Sequence, residues 1–205
     1  MEITKRKDKL PIIETARLLL RDIRVKDISD NYLAWINDPE TTQYLEIRFE
    51  PQTRTKVEAF IQSRVENVKN VKHFGIYDDN GSRLIGNVTA NINARHKSAD
   101  ISYIIGHPDA MGKGYATEAV HAVVYYLFHL AGMEQLWAGY YQSHTASAKV
   151  LAKNGFTVQG CVKKQLLNHK GEREDKIYVG LLPDDFTPNP ELIGPLPTVP
   201  RTTES

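Results

Sequence analysis

The chain has 205 residues, 41% of them hydrophobic and 25% charged, enough apolar content for one domain with its own core. A formal net charge of +1 supplies no global basic field for nucleic acid and no acidic bias. The polar N-terminus has no secretory h-region, no run reaches ~18 apolar residues, and the lone Cys161 precludes an internal disulfide, so a cytoplasmic protein without membrane contact is expected.

In chain order, ARLLLRDI (16–23) is an apolar run bounded by charge and reads as the first strand. VKDISDNYLAWINDPE follows, with Ile28, Tyr32, Trp35 and Ile36 at helical spacing and Pro39 at its end. A second helix is expected in TRTKVEAFIQSRVENV, with Val57, Phe60, Ile61, Arg64 and Val65 on one side and Thr53 or Thr55 as its cap. KHFGIYDDNGSRLIGNVTANI reads as two strands joined at Asp79-Asn80-Gly81, because Asn-Gly between apolar runs is a strong hairpin signal. ADISYIIGH is a further strand closed by Pro108. A helix from about Tyr115 to Ala131 carries Ala116, Ala119, Val120, Val123, Val124, Leu127 and Phe128 on one broad face. EQLWAGYY reads as a strand, and HTASAKVLAKN as a short helix with Ser143 as its cap and Gly155 just beyond it. FTVQGCVKKQLL and EDKIYVGLL form a last hairpin around Asn168–Gly171. Cys161 has no Cys or His partner at ligand spacing, so it reads as a small buried residue, and no metal is expected. From about 187 the chain turns proline-rich and poor in large apolar residues, which reads as a disordered tail over 187–205. The order β-α-α-β-β-β-α-β-α-β-β points to an α+β, mixed-sheet domain rather than strict βαβ alternation.

MGKGYATEA (111–119) lies between a strand and a helix. The first turn of a helix has amides without internal partners and a partial positive charge. Gly112 and Gly114 carry no Cβ, and Lys113 adds a cation, so the loop suits a pyrophosphate as well as it suits a simple turn. A dinucleotide fingerprint would need a third glycine where Thr117 stands.

The run ISYIIGHPDAMGKGYATEAVHAVVYYLF resembles the acetyl-CoA-binding segment of the GNAT superfamily of N-acyltransferases, and HTASAKVLAKNGFTVQG resembles that family's following helix. TARLLLRDI and WINDPETTQYL are similar to the branch containing ribosomal-protein N-terminal and spermidine acetyltransferases. The likeness spans about residues 14–183. It implies the GNAT fold, a mostly antiparallel central sheet flanked by helices, over residues 14–186, with 1–13 as a flexible N-terminus. Acetyl-CoA would be the co-substrate. Its pyrophosphate would meet Met111, Gly112, Lys113, Gly114, Tyr115, Ala116 and Thr117, with Met111 where the family has Gln or Arg. Ile104, Ile105 and Gly106 would offer backbone to the pantetheine arm, and a free amide there would polarise the thioester carbonyl. His144 stands where the family often has a pantetheine-binding Asn.

By the same resemblance, Ser147 matches a serine that protonates the leaving thiolate, and Leu151 excludes the tyrosine acid of spermidine acetyltransferases. The base is open, because Leu166 stands where the ribosomal-protein branch has a glutamate. Glu46, His73, Asp100 and Glu118 are candidates, and Glu46 is favoured as part of the acceptor-side loop. Trp35, Tyr44, Arg48, Asn91, Tyr103 and Tyr141 are expected to bind the acceptor. With no nucleophile beside a His-acid pair, the amine would attack the thioester directly. The acceptor expected is a small-molecule primary amine, an amino sugar on a nucleotide by looser resemblance; a protein N-terminus or a polyamine is the alternative. A non-catalytic CoA-binding sensor is a reading of another class. Relatives of this family are often dimers, so a homodimer is compatible with it.

Overall fold

The computed structural model describes residues 2–4, 10–78 and 80–193. Among the described residues, nine strands form one sheet in the order β1-β2-β3-β4-β5-β6-β7-β9-β8. They are β1 (Glu2–Thr4), β2 (Ile12–Glu14), β3 (Leu19–Asp22), β4 (Val71–Asp78), β5 (Arg83–Asn93), β6 (Ser98–Ile105), β7 (Gln135–Tyr141), β8 (Thr157–Leu167) and β9 (Arg173–Leu181). The helices are α1 (Asp30–Asn37), α2 (Pro39–Thr42), α3 (Arg54–Glu66), α4 (Tyr115–His129), α5 (Thr145–Lys153) and α6 (Pro190–Ile193). Neighbouring strands are antiparallel except β6 and β7, which α4 links as a parallel crossover.

The parallel pair is short. Ser98, Ala99 and Asp100 pair with Gln135, Leu136 and Trp137, and no further rungs follow. β6 continues to Ile105 and β7 to Tyr141, so the two strands part and leave a gap in the middle of the sheet. Helices cover both faces, and alternate residues on a strand divide between two apolar clusters. Ile85 packs with the α4 face (Ala119, Val120, Val123, Val124, Leu127), whereas its neighbour Leu84 packs with Ile28, Tyr32, Trp35, Val57 and Ile61 around α1 and α3.

Local signals act largely as expected. The Thr53 side chain accepts from the Lys56 amide and caps α3. Asn80 and Gly81 both have positive φ, 54° and 82°, as a tight hairpin between β4 and β5 requires; Asp79 lies outside the described residues. Gly155, with φ 87°, ends α5 and lets Phe156 N–H reach Leu151 C=O at 3.1 Å. Ser143 is not the cap of α5; its amide instead donates to Glu174 Oε1 at 2.6 Å. On α3, Val57 and Ile61 are buried, but Phe60 and Val65 stay exposed.

Three expectations need correction. Residues 12–14 form a sheet strand paired with β1, and Leu10 and Ile13 are core residues, so the fold starts ahead of residue 14. The stretch expected as tail from 187 is docked as far as it is described. Phe186 is buried beside His121 and Phe128, the Asn189 amide donates to His121 Nε2 at 2.9 Å, and α6 follows, with Leu192 packed against the core. Residues 194–205 lie outside the described residues. Cys161 is exposed, because β8 forms the sheet's edge and both faces of that strand meet solvent. Its thiol lies 3.6 Å from Asp175 Oδ2. No helix among the described residues is long and apolar enough to cross a membrane.

Candidate active site

The gap between β6 and β7 opens into a cleft of about 380 Å³. Its walls come from β5, β6, β7, the start of α5, the 44–47 segment and α1. On the helix side of the gap, Gly112 and Gly114 have φ of 72° and 80°, and Gly114 is the N-cap of α4. The first intrahelical bond runs from Glu118 N–H to Gly114 C=O at 3.1 Å. The amides of Tyr115, Ala116 and Thr117 therefore precede the helix ladder. A Cβ at Gly112 would meet nothing within 4 Å, so the space in front of the loop is open. Pre-helical amides, glycines with left-handed backbone and open space together fit a diphosphate.

The loop is anchored from behind. Glu118 is 1% exposed. Its Oε1 accepts from Thr15 Oγ1 at 2.6 Å and Arg17 N–H at 2.9 Å, and its Oε2 accepts from Arg17 Nε at 2.7 Å. The carboxylate is buried although Arg17 is 46% exposed, so removing its partners would leave a desolvated charge uncompensated. Glu118 is thus fully engaged away from the cleft and is not free to act as a base. Asp100 is not a cleft-lining residue either.

The β6 backbone divides the three residues expected to face the thioester. Gly106 N–H donates to Ile85 C=O at 2.8 Å, so it is occupied. Ile104 C=O also points at β5, since a Cβ on Gly86 would lie 2.1 Å from its oxygen. Backbone groups alternate sides along a strand, so the polar groups of Ile105 face the gap instead. Gly106 has a packing role besides: a Cβ there would lie 1.9 Å from the Trp35 ring. Trp35 is 3% exposed and meets Tyr32 at 4.5 Å between ring centroids, with an edge on the cleft.

Two groups of side chains meet in the cleft. At the buried end, Ser147 Oγ and Tyr103 Oη are 2.8 Å apart, and Tyr103 Oη also donates to Ser147 C=O at 3.2 Å. Burial pushes the Tyr103 phenol up to about 12, so it keeps its proton at neutral pH. At the open end, Tyr44 stacks on His144 at 4.0 Å and tilts against Tyr141 at 5.6 Å. Tyr141 Oη donates to Glu46 Oε1 at 3.3 Å and accepts from Arg48 at 3.1 Å. Burial lowers the pKa of the His144 imidazole, with the Glu174 carboxylate opposing it, which favours the neutral ring. His73 reaches the cleft from β4; its Nδ1 is 2.7 Å from Thr89 Oγ1, and burial pulls its pKa down to about 4.

Trp35, Tyr44, Glu46, Tyr103, Ile104, Tyr141, His144 and Ser147 thus meet around one cavity. Two expected acceptor residues do not. Asn91 is exposed, opposite Asp100 where β6 and β7 still pair; Asn87 and Thr89, nearer the opening on the same face and opposite Ile104 and Ser102, line the cleft instead. Arg48 sits behind Tyr141, donates to Leu45 C=O at 3.0 Å and to Leu167 C=O, and lines a neighbouring groove of about 670 Å³. The Asn87-x-Thr89 alternation was a visible signal for that wall. Lys176 and Tyr140, also in the lining, had none. Among the described residues no group of three or more His, Cys, Asp or Glu side chains could hold a metal.

Residues 17–157 match the family model described as an acetyltransferase (GNAT) domain. The chain is 28% identical to the uncharacterized N-acetyltransferase YoaA of Bacillus subtilis over 171 residues, 82% of this chain and 95% of that protein. The structure of ribosomal-protein-S5-alanine acetyltransferase from Vibrio fischeri superposes with a TM-score of 0.72 at 23% identity, over 86% of this chain and 99% of that one. Spermidine N-acetyltransferase from Vibrio cholerae, in complex with CoA and spermine, superposes with a TM-score of 0.73 at 21% identity, over 83% and 98%. The two structures share the fold with this chain.

Proposed function

Because the chain belongs to the GNAT acetyltransferases and is an acetyl-CoA-dependent N-acetyltransferase, we propose that its acceptor is an amino sugar joined to a nucleotide. The observation that carries this reading is the lining of the cleft. Glu46 is the one carboxylate among its described lining residues, amid Tyr32, Trp35, Tyr44, Tyr103, Tyr140 and Tyr141. A polyamine carries several ammonium groups and would want several carboxylates. A sugar ring instead stacks on aromatic faces, and Asn87 and Thr89 supply hydrogen bonds for its hydroxyls. The groove of about 670 Å³ shares Ile36 and Ile47 with the cleft and holds Arg48, which leaves room and a cation for a larger anionic body.

Acetyl-CoA supplies an activated acyl thioester. The amides from Gly112 to Thr117 hold its diphosphate, the Met111 N–H being taken by Pro108 C=O at 3.1 Å, and the Ile105 N–H faces the oxygen on which negative charge develops. Glu46, bridged to Tyr141, takes the proton from the incoming ammonium. Ser147, backed by the protonated Tyr103, returns a proton to the departing thiolate. His144 stacks on Tyr44 and shapes the acceptor entrance. Bringing amine and thioester together at this split supplies much of the rate.

The test is thiol release from acetyl-CoA with a panel of amines: a nucleotide-linked amino sugar, the free amino sugar, spermidine and a short peptide. The nucleotide-linked sugar should give the highest kcat/KM, and Glu46→Gln should lower that value about 100-fold. A higher value with spermidine or the peptide overturns the acceptor assignment. CoA binding without thiol release from any amine would instead make the protein a sensor.

A further inference from the structure

We propose that Arg17 is a positioning residue for the diphosphate loop, clamped by the buried Glu118 and acting through Lys113. The inference rests on the reading of residues 111–117 as the diphosphate site and deepens it.

Arg17 comes from the turn between β2 and β3, about a hundred residues away in sequence. Its Nε and one terminal nitrogen grip Glu118 Oε2 at 2.7 and 2.6 Å, and its backbone N–H donates to Oε1. The other terminal nitrogen donates to Lys113 C=O at 3.0 Å, and the guanidinium lies 4.7 Å over the Tyr115 ring. A Cβ on Gly114 would be 3.6 Å from the same group. One planar cation therefore touches Lys113, the flank of Gly114 and Tyr115 at once.

This geometry has a direct consequence. Gly114 has no side chain with which to cap α4, and a loop with two left-handed glycines has many conformations of similar energy. Holding Lys113 C=O from behind keeps that carbonyl turned away from the ligand face. The following amides are then presented without an ordering cost when the diphosphate arrives. Glu118 fixes the guanidinium through Oε2, which accepts from Nε and one terminal nitrogen, while Oε1 accepts from the Arg17 backbone N–H and Thr15 Oγ1. Arg17 remains 46% exposed, so the clamp reaches the surface where the ligand lands. Lysine cannot reproduce it, because a single ammonium cannot span the carboxylate and the carbonyl as a fork does.

The experiment compares two acyl donors, acetyl-CoA and S-acetylpantetheine, which lacks the nucleotide diphosphate, and adds calorimetry with CoA. The variants are Arg17→Gln, Arg17→Lys and the charge-neutral pair Arg17→Met with Glu118→Gln, which leaves no buried unpaired carboxylate. The wild type should prefer acetyl-CoA strongly. Each variant should weaken CoA binding about tenfold and lower the ratio of kcat/KM for the two donors by a similar factor. Full rescue by Arg17→Lys would overturn positioning in favour of simple charge attraction. An unchanged CoA Kd, or equal losses with both donors, would overturn it as well. A wild type that does not discriminate between the donors sinks the diphosphate reading itself, and this inference with it.

Discussion

The two walls of the cleft, the proposed donor side and the proposed acceptor side, are built in opposite ways. The donor side is backbone: consecutive amides at the start of α4, two glycines with positive φ, and an alternating strand that turns Ile105 toward the gap. The acceptor side is side chains: Tyr44 and Glu46 from a loop, Asn87 and Thr89 from β5, Tyr141 from β7 and His144 at α5. Backbone presents the same groups whatever the residue, so it suits a ligand portion that never varies. Side chains let the other wall be re-specified without disturbing the first. The two sides meet at Tyr103 and Ser147, whose hydroxyls lie 2.8 Å apart.

The sharpest way to break this contrast is Gly114→Val. Gly114 has φ 80°, and a β-branched residue there costs about 1–2 kcal/mol or forces the loop to turn over. CoA affinity should fall about 100-fold by calorimetry, while far-UV circular dichroism stays native. Affinity within threefold of the wild type would mean that the loop amides do not hold the ligand.

The junction between the two sides is tested by Ser147→Ala and Tyr103→Phe. A proton donor contributes roughly 10²–10⁴ in rate, and the two hydroxyls act on one site. Each variant should lower kcat by about 30-fold with KM for acetyl-CoA within threefold. The double variant should be little worse than the poorer single one. Additive losses would assign the two residues separate roles, and equal losses in kcat and CoA affinity would make Ser147 a binding group.

The smallest expected effect concerns what stands behind the donor helix. Ending the chain after Phe186 removes α6 and the Asn189 amide that His121 Nε2 accepts on the far side of α4. A loss of ~1–2 kcal/mol corresponds to a Tm lower by roughly 3–6 °C for a chain of this size. CoA affinity should hold within twofold, because the diphosphate loop is anchored by Glu118 and not by the C-terminal segment. A Tm unchanged to within a degree would show that the docked segment adds nothing to the fold.

Legibility followed the same division. The 111–117 loop, the helix after it and the closing Gly155 are contiguous, and their chemistry depends on local order. The acceptor wall depended on where β6 and β7 part. Asn91 and Asn87 share one face of β5, and only the three paired rungs at Ser98–Asp100 decide that Asn87 lies in the opening and Asn91 outside it. Arg48 lies two residues past Glu46, but the fold turns it behind Tyr141. The proline-rich stretch beyond 186 gave no sign that His121 offers it an acceptor. Cys161 read as buried because its type usually is; its place on the edge strand overrode that.

Sequence alone therefore determined the order of the longer elements from β3 to β9, the α+β class and the glycine loop ahead of α4, since each depends on periodicity, turn residues or a helix start within a few neighbouring positions. Tertiary structure alone decided which amide of β6 faces the gap, which hydroxyl lies beside Ser147 and which cation touches the 111–117 loop. Those choices depend on strand register and on contacts between residues some forty to a hundred positions apart, such as Tyr103 with Ser147 and Arg17 with Glu118. No local pattern in a chain records such distances.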